Sequence, residues 1–513
     1  MFLRKATTRE VLQGNYLSAN PLSILFVIFT FQAIPMRFKV NHIIVIAATA
    51  LITLLNASCK KTKVLSTGGT VTFSVDTLNF DTVFTAAGSF TTGLLIYNPQ
   101  NEEVVLSSVR LQHGGTSYFH LNVDGFTGNN VTNLKIAAHD SLYVFATVDI
   151  NPNDSTTPFV VTDSLITTMN GQNFYIPFMA YGQNAHYIVS DSFSVNTVWH
   201  TDLPYVVIHS CVVGPGASLT IPASCKVYMH QDARFFVYGS LFVDTSGTPG
   251  QDSVVFQGDR LDRAYFGYIG YPGEWGGFYF IGGAPGGTGR IRNAVIKNCG
   301  GSTPYYDYSI QSAAMEVDTG ATLKIDHSVI ENSFGWGIFS NQGNVTATSC
   351  NVNTTGSEAL AIVNGGTDLI TNCTFANYGT AALTHANYGT VTILNYLSNG
   401  DGTWQSGNLN AVMRNCLVYG SLDSEVIFDS LGGATASLLV DHCLLKMGSV
   451  REHFVIFNGC LFNQDPLFAN PDNGDFHLTT GSPAANAGVL ISGITPLYGG
   501  NWFGGSGVDI GCY

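Results

Sequence analysis

The sequence predicts an all-β chain, a β-sandwich followed by a parallel β-helix whose coils stack along one axis. Three observations carry this. Short strand-like runs broken by Gly, Asn, Asp and Pro begin near residue 68 and continue to the end. Between residues 294 and 460 one short pattern returns at steps of 34, 22, 23, 22, 21, 27 and 17 residues. Charged residues make up only 11% of the chain, against roughly 25% in a typical soluble domain, and glycine is abundant at 56 of 513. A hydrophobic content of 45% permits a large core and excludes wholesale disorder.

The first element is a leader. Net charge is 21 − 35 = −14, which argues against a nucleic-acid partner. It is unevenly placed: residues 1–63 hold eight Lys/Arg and one acid, Glu10, while the remaining 450 carry 13 − 34 = −21. The apolar runs Leu22–Pro35 and Ile43–Leu55 are 14 and 13 residues long, short of the roughly 20 that span a bilayer. Met36-Arg37-Phe38-Lys39 reads as the basic start of a signal peptide, Ile43–Leu55 as its apolar centre, and Asn56-Ala57-Ser58-Cys59 as the cleavage region. This ending resembles a bacterial lipobox, although Asn56 stands where an aliphatic residue is usual. The resemblance implies that residues 1–58 are a leader whose true start is Met36. It also implies lipidation of Cys59, with the membrane as partner through that lipid, and an outer-membrane address in the cell envelope. The competing reading is a plain signal peptide with Cys59 incidental.

After a tether, residues 59–67, the segment 68–186 reads as a sandwich. Its expected strands are Val71–Val75, Phe80–Phe84, Leu94–Tyr97, Val104–Leu111, Phe119–Val123, Ser141–Val148, Ser164–Thr168 and Phe174–Ala180. Leu142, Val144, Ala146 and Val148 alternate with Tyr143, Phe145, Thr147 and Asp149, as one buried face requires. Leu78-Asn79-Phe80-Asp81, Ile96-Tyr97-Asn98, Asp140-Ser141-Leu142 and Ala180-Tyr181-Gly182 resemble the immunoglobulin-like domains related to abnormal-spindle and hydin proteins. That resemblance implies a spacer or interaction module.

Residues 187–513 hold the repeat. Positions 294, 328, 350, 373, 395, 416, 443 and 460 form one column, small and rich in cysteine. Two positions on, Ile296, Ile330, Val352, Phe375, Leu397, Val418, Leu445 and Phe462 form a larger apolar one. A period of two puts both on the inward face. Asn298, Asn332, Asn377 and Asn399 suggest an asparagine ladder, and Gly320, Gly343, Gly366 and Gly389, each 23 apart, a turn column. The pattern is similar to the right-handed parallel β-helix of the pectin-lyase-like fold. The entry (Val213-Gly214-Pro215-Gly216, Phe236-Val237-Tyr238-Gly239), Gly273-Glu274-Trp275-Gly276-Gly277 and the capping exit (Asp465-Pro466-Leu467-Phe468, Asp475-Phe476-His477-Leu478, Asp509-Ile510-Gly511) match it too. Members include polysaccharide lyases, hydrolases, tailspikes and adhesins, so the resemblance leaves function open.

The chemistry is thinner. The Asp-Asp and Gly-His-Gly signatures of pectin hydrolases are missing, and Arg290-Ile291-Arg292 departs from their Arg-Ile-Lys motif. The reading therefore favours binding of a polysaccharide or cell-surface glycan over catalysis. The alternative is a polysaccharide lyase or glycoside hydrolase. Candidate glycan contacts are Trp275, Tyr305, Tyr306, Asp307 and Trp404, rings beside acids and amides that suit the C–H faces and hydroxyl edges of sugars. No cofactor is required. Calcium is the one ion that Glu316, Asp318, Asp326 and Glu331 could take, unless they form a solvated face. His327 and His442 share one repeat position and read as solvent-facing substitutes for asparagine. Cys211 and Cys225 are the expected disulfide pair, the column cysteines are expected to be free, and Cys373 and Cys416 are expected to be two rungs apart.

Overall fold

The computed structural model describes residues 63–513 except 245–246, 262–270, 302–311, 449–452, 504 and 506. The leader and Cys59 lie outside the described residues. Those described are nearly all β, with only short 3-10 turns for helix.

Two five-stranded sheets come first and face each other across one hydrophobic core. Phe80, Phe119 and Phe178 form its centre, with ring centroids 5.4 to 6.4 Å apart. Strands Val104–Leu111, Phe119–Val123 and Ser141–Val148 have the expected bounds. Leu142, Val144, Ala146 and Val148 point inward, and Tyr143 and Phe145 outward. Strand Asn130–Ile136 was not foreseen. It is an edge strand whose only buried residues are Leu134 and Ile136, and Asn133 interrupts its alternation with a φ of +60°.

From His186 onward the strands run parallel in an 18-stranded and a 10-stranded sheet. Each regular coil contributes three strands, so the two sheets comprise three stacked ladders, the arrangement of a β-solenoid. The first ladder runs from Lys226–Met229 through Ala294–Lys297 to Leu461–Phe462, and the second from Tyr205–Val213 through Phe278–Phe280 to Val426–Asp429. The third ladder is the 10-stranded sheet, Thr197–Val198 to Val455–Asn458.

Register confirms the aliphatic column and corrects one rung. Phe256, Ile296, Ile330, Val352, Phe375, Val418, Leu445 and Phe462 stack in turn. Thr374 pairs directly with Leu417, so Cys373 and Cys416 are neighbours rather than two rungs apart. Asn395 and Leu397 belong elsewhere: Tyr396–Ser398 and Trp404–Ser406 form an antiparallel hairpin inserted into that coil. The even spacing around residue 395 mimicked a rung. Cys350, Cys373, Cys416, Cys443 and Cys460 thus occupy five consecutive rungs, and all are free thiols. Cys211 and Cys225 are also free. Cys211 faces the core beside Phe235 in the second ladder, while Cys225 enters the first and donates to His200 O at 3.4 Å.

The residue before each column position makes a sharp turn. Asn293, His327, Ser349, Asn372, Asn415, His442 and Gly459 all have φ between 46° and 60°. Asparagine tolerates this left-handed geometry best among residues with a Cβ, and the two histidines do stand in for it. His327, however, is covered: its Nε2 lies 3.0 Å from Thr495 Oγ1. The asparagine ladder is partial. Asn332 donates to Asn298 Oδ1 at 2.8 Å, Thr354 interrupts the column with a φ of +53°, and Asn399 lies in the hairpin. The glycine column does not exist as such. Gly366 stacks on Gly343, where a Cβ would sit 2.5 Å from the Gly343 carbonyl oxygen, but Gly389 precedes a strand of the second ladder.

The exit does more than close an end. The described residues of 484–513 run back along the outer face of the first ladder. Ala484 and Ile510 pack on Leu417 and Leu444, and Leu497 and Cys512 pack on Val329. Asn415 Nδ2 donates to Val489 O at 2.8 Å, Ser349 Oγ to Thr495 O at 2.6 Å and Asn351 Nδ2 to Tyr513 OH at 2.7 Å. The two β-regions also touch. The Phe84 and Tyr228 rings lie 4.7 Å apart, and the Tyr187 hydroxyl donates to Thr85 O.

Candidate functional site

The C-terminal segment covers the first ladder, and the outer face of the second holds a groove. Parallel register fixes what stands there. Val212, Phe236, Tyr279, Glu316 and Phe339 succeed one another outward on consecutive rungs. Two residues further along each strand come Tyr238, Ile281, Asp318 and Asn341. All of these except Phe339 line a cavity of about 1120 Å³.

Aromatic rings and acids therefore meet in one groove, with the rings toward the first domain. Phe236 stacks on Tyr279 with centroids 5.5 Å apart and planes at 26°. Tyr238 is 41% exposed and offers its ring to solvent, whereas Tyr279 is buried. Arg234, also buried, donates from Nε to the Tyr279 hydroxyl at 3.4 Å and from Nη2 to Gly301 O at 3.4 Å. Burial pushes the Tyr279 phenol above its ordinary value, with the Arg234 charge opposing it.

Glu316 and Asp318 stand two residues apart on the same side of one strand, so their Cα atoms are roughly 6.6 Å apart at the usual strand rise. Val317 between them points into the core. Burial raises Asp318 above the usual carboxylate range; the Gly282 amide donates to its Oδ2 at 3.4 Å and opposes that shift. Asp318 therefore holds a proton more readily than a free aspartate does.

Toward later rungs the same face turns apolar. Ala313, Phe339, Ala361, Val363, Leu394 and Tyr396 form a separate cluster. The inserted hairpin stands over this end, its Trp404 ring edge-on to Tyr396 at 5.2 Å, and the Tyr396 hydroxyl donates to Asp429 Oδ2 at 2.6 Å.

Of the expected glycan contacts, Trp404 is 46% exposed on that hairpin. Trp275 is fully buried; its indole nitrogen donates to Lys297 O at 3.0 Å and its ring meets Phe278 edge-on, so it presents nothing to a ligand. Tyr305, Tyr306 and Asp307 lie outside the described residues. The acids considered for calcium do not converge. Glu316 and Asp318 are in the groove, Asp326 pairs with Arg292 at 3.2 Å on the third ladder, and Glu331 lies beside Lys297's rung on the first. Among the described residues no three His, Cys, Asp or Glu side chains form a metal-binding group. Phe236, Tyr238 and Asn341 were missed. Only the register of the second ladder brings them together, and the first-ladder repeat does not carry it.

No protein-family model matches the chain, and no curated protein matches it. Several solved structures resemble parts of it. One is a family 123 glycoside hydrolase from Clostridium perfringens, concerned with glycolipid glycan hydrolysis, at 9% identity and a TM-score of 0.17 over 22% of this chain and 26% of that one. Another is the ASH / PapD-like domain 7 of human CEP192, at 12% identity and 0.16 over 22% and 84%. A third is the Salmonella enterica SafA pilin in complex with the SafB chaperone, at 11% identity and 0.16 over 23% and 57%. This chain spans about a quarter of the hydrolase and just over half of the pilin complex chain that it matches. These likenesses do not bear on its activity.

Proposed function

We propose that this chain is a lipid-anchored protein of the cell envelope that binds a polysaccharide or cell-surface glycan. On this reading the parallel solenoid is a right-handed β-helix of the pectin-lyase-like class, the first domain an immunoglobulin-like spacer, and Cys59 the lipidated residue. The observation that carries the binding role is the groove of the second ladder, where Phe236 and Tyr238 flank Glu316, Asp318 and Asn341. Rings and polar groups fixed on adjacent rungs lose little freedom when a glycan docks, so modest contacts accumulate along a polymer. The test is a polysaccharide array probed with the intact protein. Tyr238→Ala and Trp404→Ala should each weaken binding several-fold with an unchanged melting temperature, and no binding to any polysaccharide would overturn the reading.

A hydrolase is the second reading, favoured by one observation: Asp318 is raised by burial while a second carboxyl, Glu316, shares its face. General acid and base roles require two carboxyls within reach of one substrate. Release of reducing ends from a bound polysaccharide, abolished by Asp318→Asn, would support this reading over binding alone.

A further inference from the structure

Charge narrows what the groove of the second ladder can take. Its described lining includes two acids, Glu316 and Asp318, and no lysine or arginine. Arg234 stands behind Tyr279, but it is buried and donates to the Tyr279 hydroxyl and to Gly301 O. Residues 64–513 carry a formal charge of 13 − 34 = −21. A polyanion such as a uronate polymer is therefore repelled both by the chain as a whole and by the groove itself.

Asp318 is also short of a counter-charge. Other outward acids of the solenoid have a basic partner: Asp232 has His209, Asp259 has His230 at 2.6 Å, and Asp441 has Arg414 at 2.7 Å. Asp318 is half-buried, and among the described residues its one hydrogen bond comes from the Gly282 amide at 3.4 Å. Burial without a cation raises its carboxyl, so a positive charge brought beside it gains more than it would at an exposed acid.

Register places an aromatic ring in line with it. Tyr238, Ile281, Asp318 and Asn341 form one outward column, with Tyr238 and Asp318 two rungs apart, about 9.6 Å at the usual strand spacing. The Tyr238 ring is exposed. Asn341 Oδ1 accepts from Asn364 Nδ2 at 3.3 Å, which leaves the Asn341 NH2 as a donor.

We propose that the groove takes a glycan containing an unacetylated amino sugar, with one unit stacked on Tyr238 and the ammonium of a neighbouring unit paired with the Asp318 carboxylate, while Asn341 donates to a hydroxyl beside it. This rests on the reading of the groove as a glycan site and adds the charge of the ligand to it. A sugar bearing only hydroxyls leaves Asp318 without a counter-charge, and an N-acetyl group puts a neutral amide where the cation belongs. A ring face and a carboxylate together suit an ammonium group, the first through its π-electrons and the second through a charge-assisted hydrogen bond.

Isothermal titration calorimetry of the purified full chain at pH 6 tests it. The probes are hexaglucosamine, hexa-N-acetylglucosamine and a lysine hexapeptide; the two sugars share one linkage, so the amine is the only variable between them. Hexaglucosamine should bind at least about tenfold more tightly than either of the others, as one charge-assisted hydrogen bond allows. Asp318→Asn should weaken hexaglucosamine alone and bring the two sugars to nearly equal affinity, with no fall in melting temperature. If hexaglucosamine binds no better than its acetylated form, or if the preference survives in Asp318→Asn, the proposal is wrong. The glycan reading then still stands on any other glycan that the protein binds on the array. A peptide bound as tightly as hexaglucosamine would also overturn the proposal, since any polycation would then be drawn to this acidic chain. Failure of every glycan, here and on the array, would remove the glycan reading itself.

Discussion

Asn415 donates its side-chain amide to Oδ1 of Asn372 at 3.2 Å, although 43 residues of chain separate them. The two sit on adjacent rungs in the same left-handed turn, and Asn415 also accepts from the Val489 amide at 2.9 Å and donates to its carbonyl at 2.8 Å. One buried side chain thus joins two coils to the returning C-terminal segment. Asn415→Ala leaves those groups unpaired and imposes a left-handed backbone on alanine, so it should cost about 2 to 4 kcal/mol. Chemical denaturation measures the loss, and hydrogen exchange should show faster opening of the amides at 488–490 than elsewhere in the solenoid.

Asp368 faces inward on the third ladder, level with Val345 and Ala411, and its Oδ2 is a buried oxygen with no hydrogen-bond partner. Burial raises its carboxyl from 3.8 to about 7, against a single bond from the Val345 amide at 2.9 Å. The folded state then keeps a proton that the unfolded chain loses above pH 4. Stability from this group is greatest below pH 4, falls as pH rises to 7 and is flat beyond, a drop of up to roughly 4 kcal/mol at 1.36 per unit. Asp368→Asn should match the wild type at pH 4 and exceed it at pH 8; a constant difference in melting temperature across that range would refute the assignment.

The two tryptophans first considered together should separate cleanly. Trp275→Ala empties a fully buried site and should destabilise by about 3 to 5 kcal/mol. Trp404→Ala removes a half-exposed ring and should shift the melting temperature little. Urea midpoints of the two variants give the comparison.

Cys460 ends the thiol column and is its only partly exposed member. Hydrogen bonding from Cys443 lowers its thiol to about 7, opposed by partial burial. It should be the column thiol that alkylates in the folded protein, with a rate half-maximal near pH 7, while Cys350, Cys373, Cys416 and Cys443 react only after denaturation. Peptide mapping after iodoacetamide treatment distinguishes them, and labelling of Cys373 in the native state would contradict the stacking.

The lipid anchor has its own test. Expressed from Met36 in a Gram-negative host, the protein should incorporate a labelled fatty acid and partition with membranes, and Cys59→Ala should abolish both.

The solenoid was readable in the sequence because stacking places equivalent residues at one inward position, and cysteine is conspicuous there. That same regularity misled at residues 395–399, where the inserted hairpin Tyr396–Ser406 and the long connection from Asn377 to Val391 together imitated a rung. Strand Asn130–Ile136 was hidden because an edge strand needs only two buried residues. The groove was harder still. Phe236, Tyr279 and Glu316 belong to strands separated by coils of unequal length, so they align in space without aligning at any fixed step in the chain. Trp275 showed the opposite failing, since a ring in a glycine-rich turn reads the same whether it faces water or the core.

The returning segment, residues 484–513, has a consequence for how the molecule comes apart. A stack of coils touching only their neighbours can fray from either end, losing one layer at a time. Here a single strap fastens layers from Val329 to Leu444, and it follows all of those layers in the chain. Until it docks, the stack should behave as a loose spring. Once docked, pulling one coil free requires peeling the strap from all of them, so the middle of the solenoid should yield in one event at a single force.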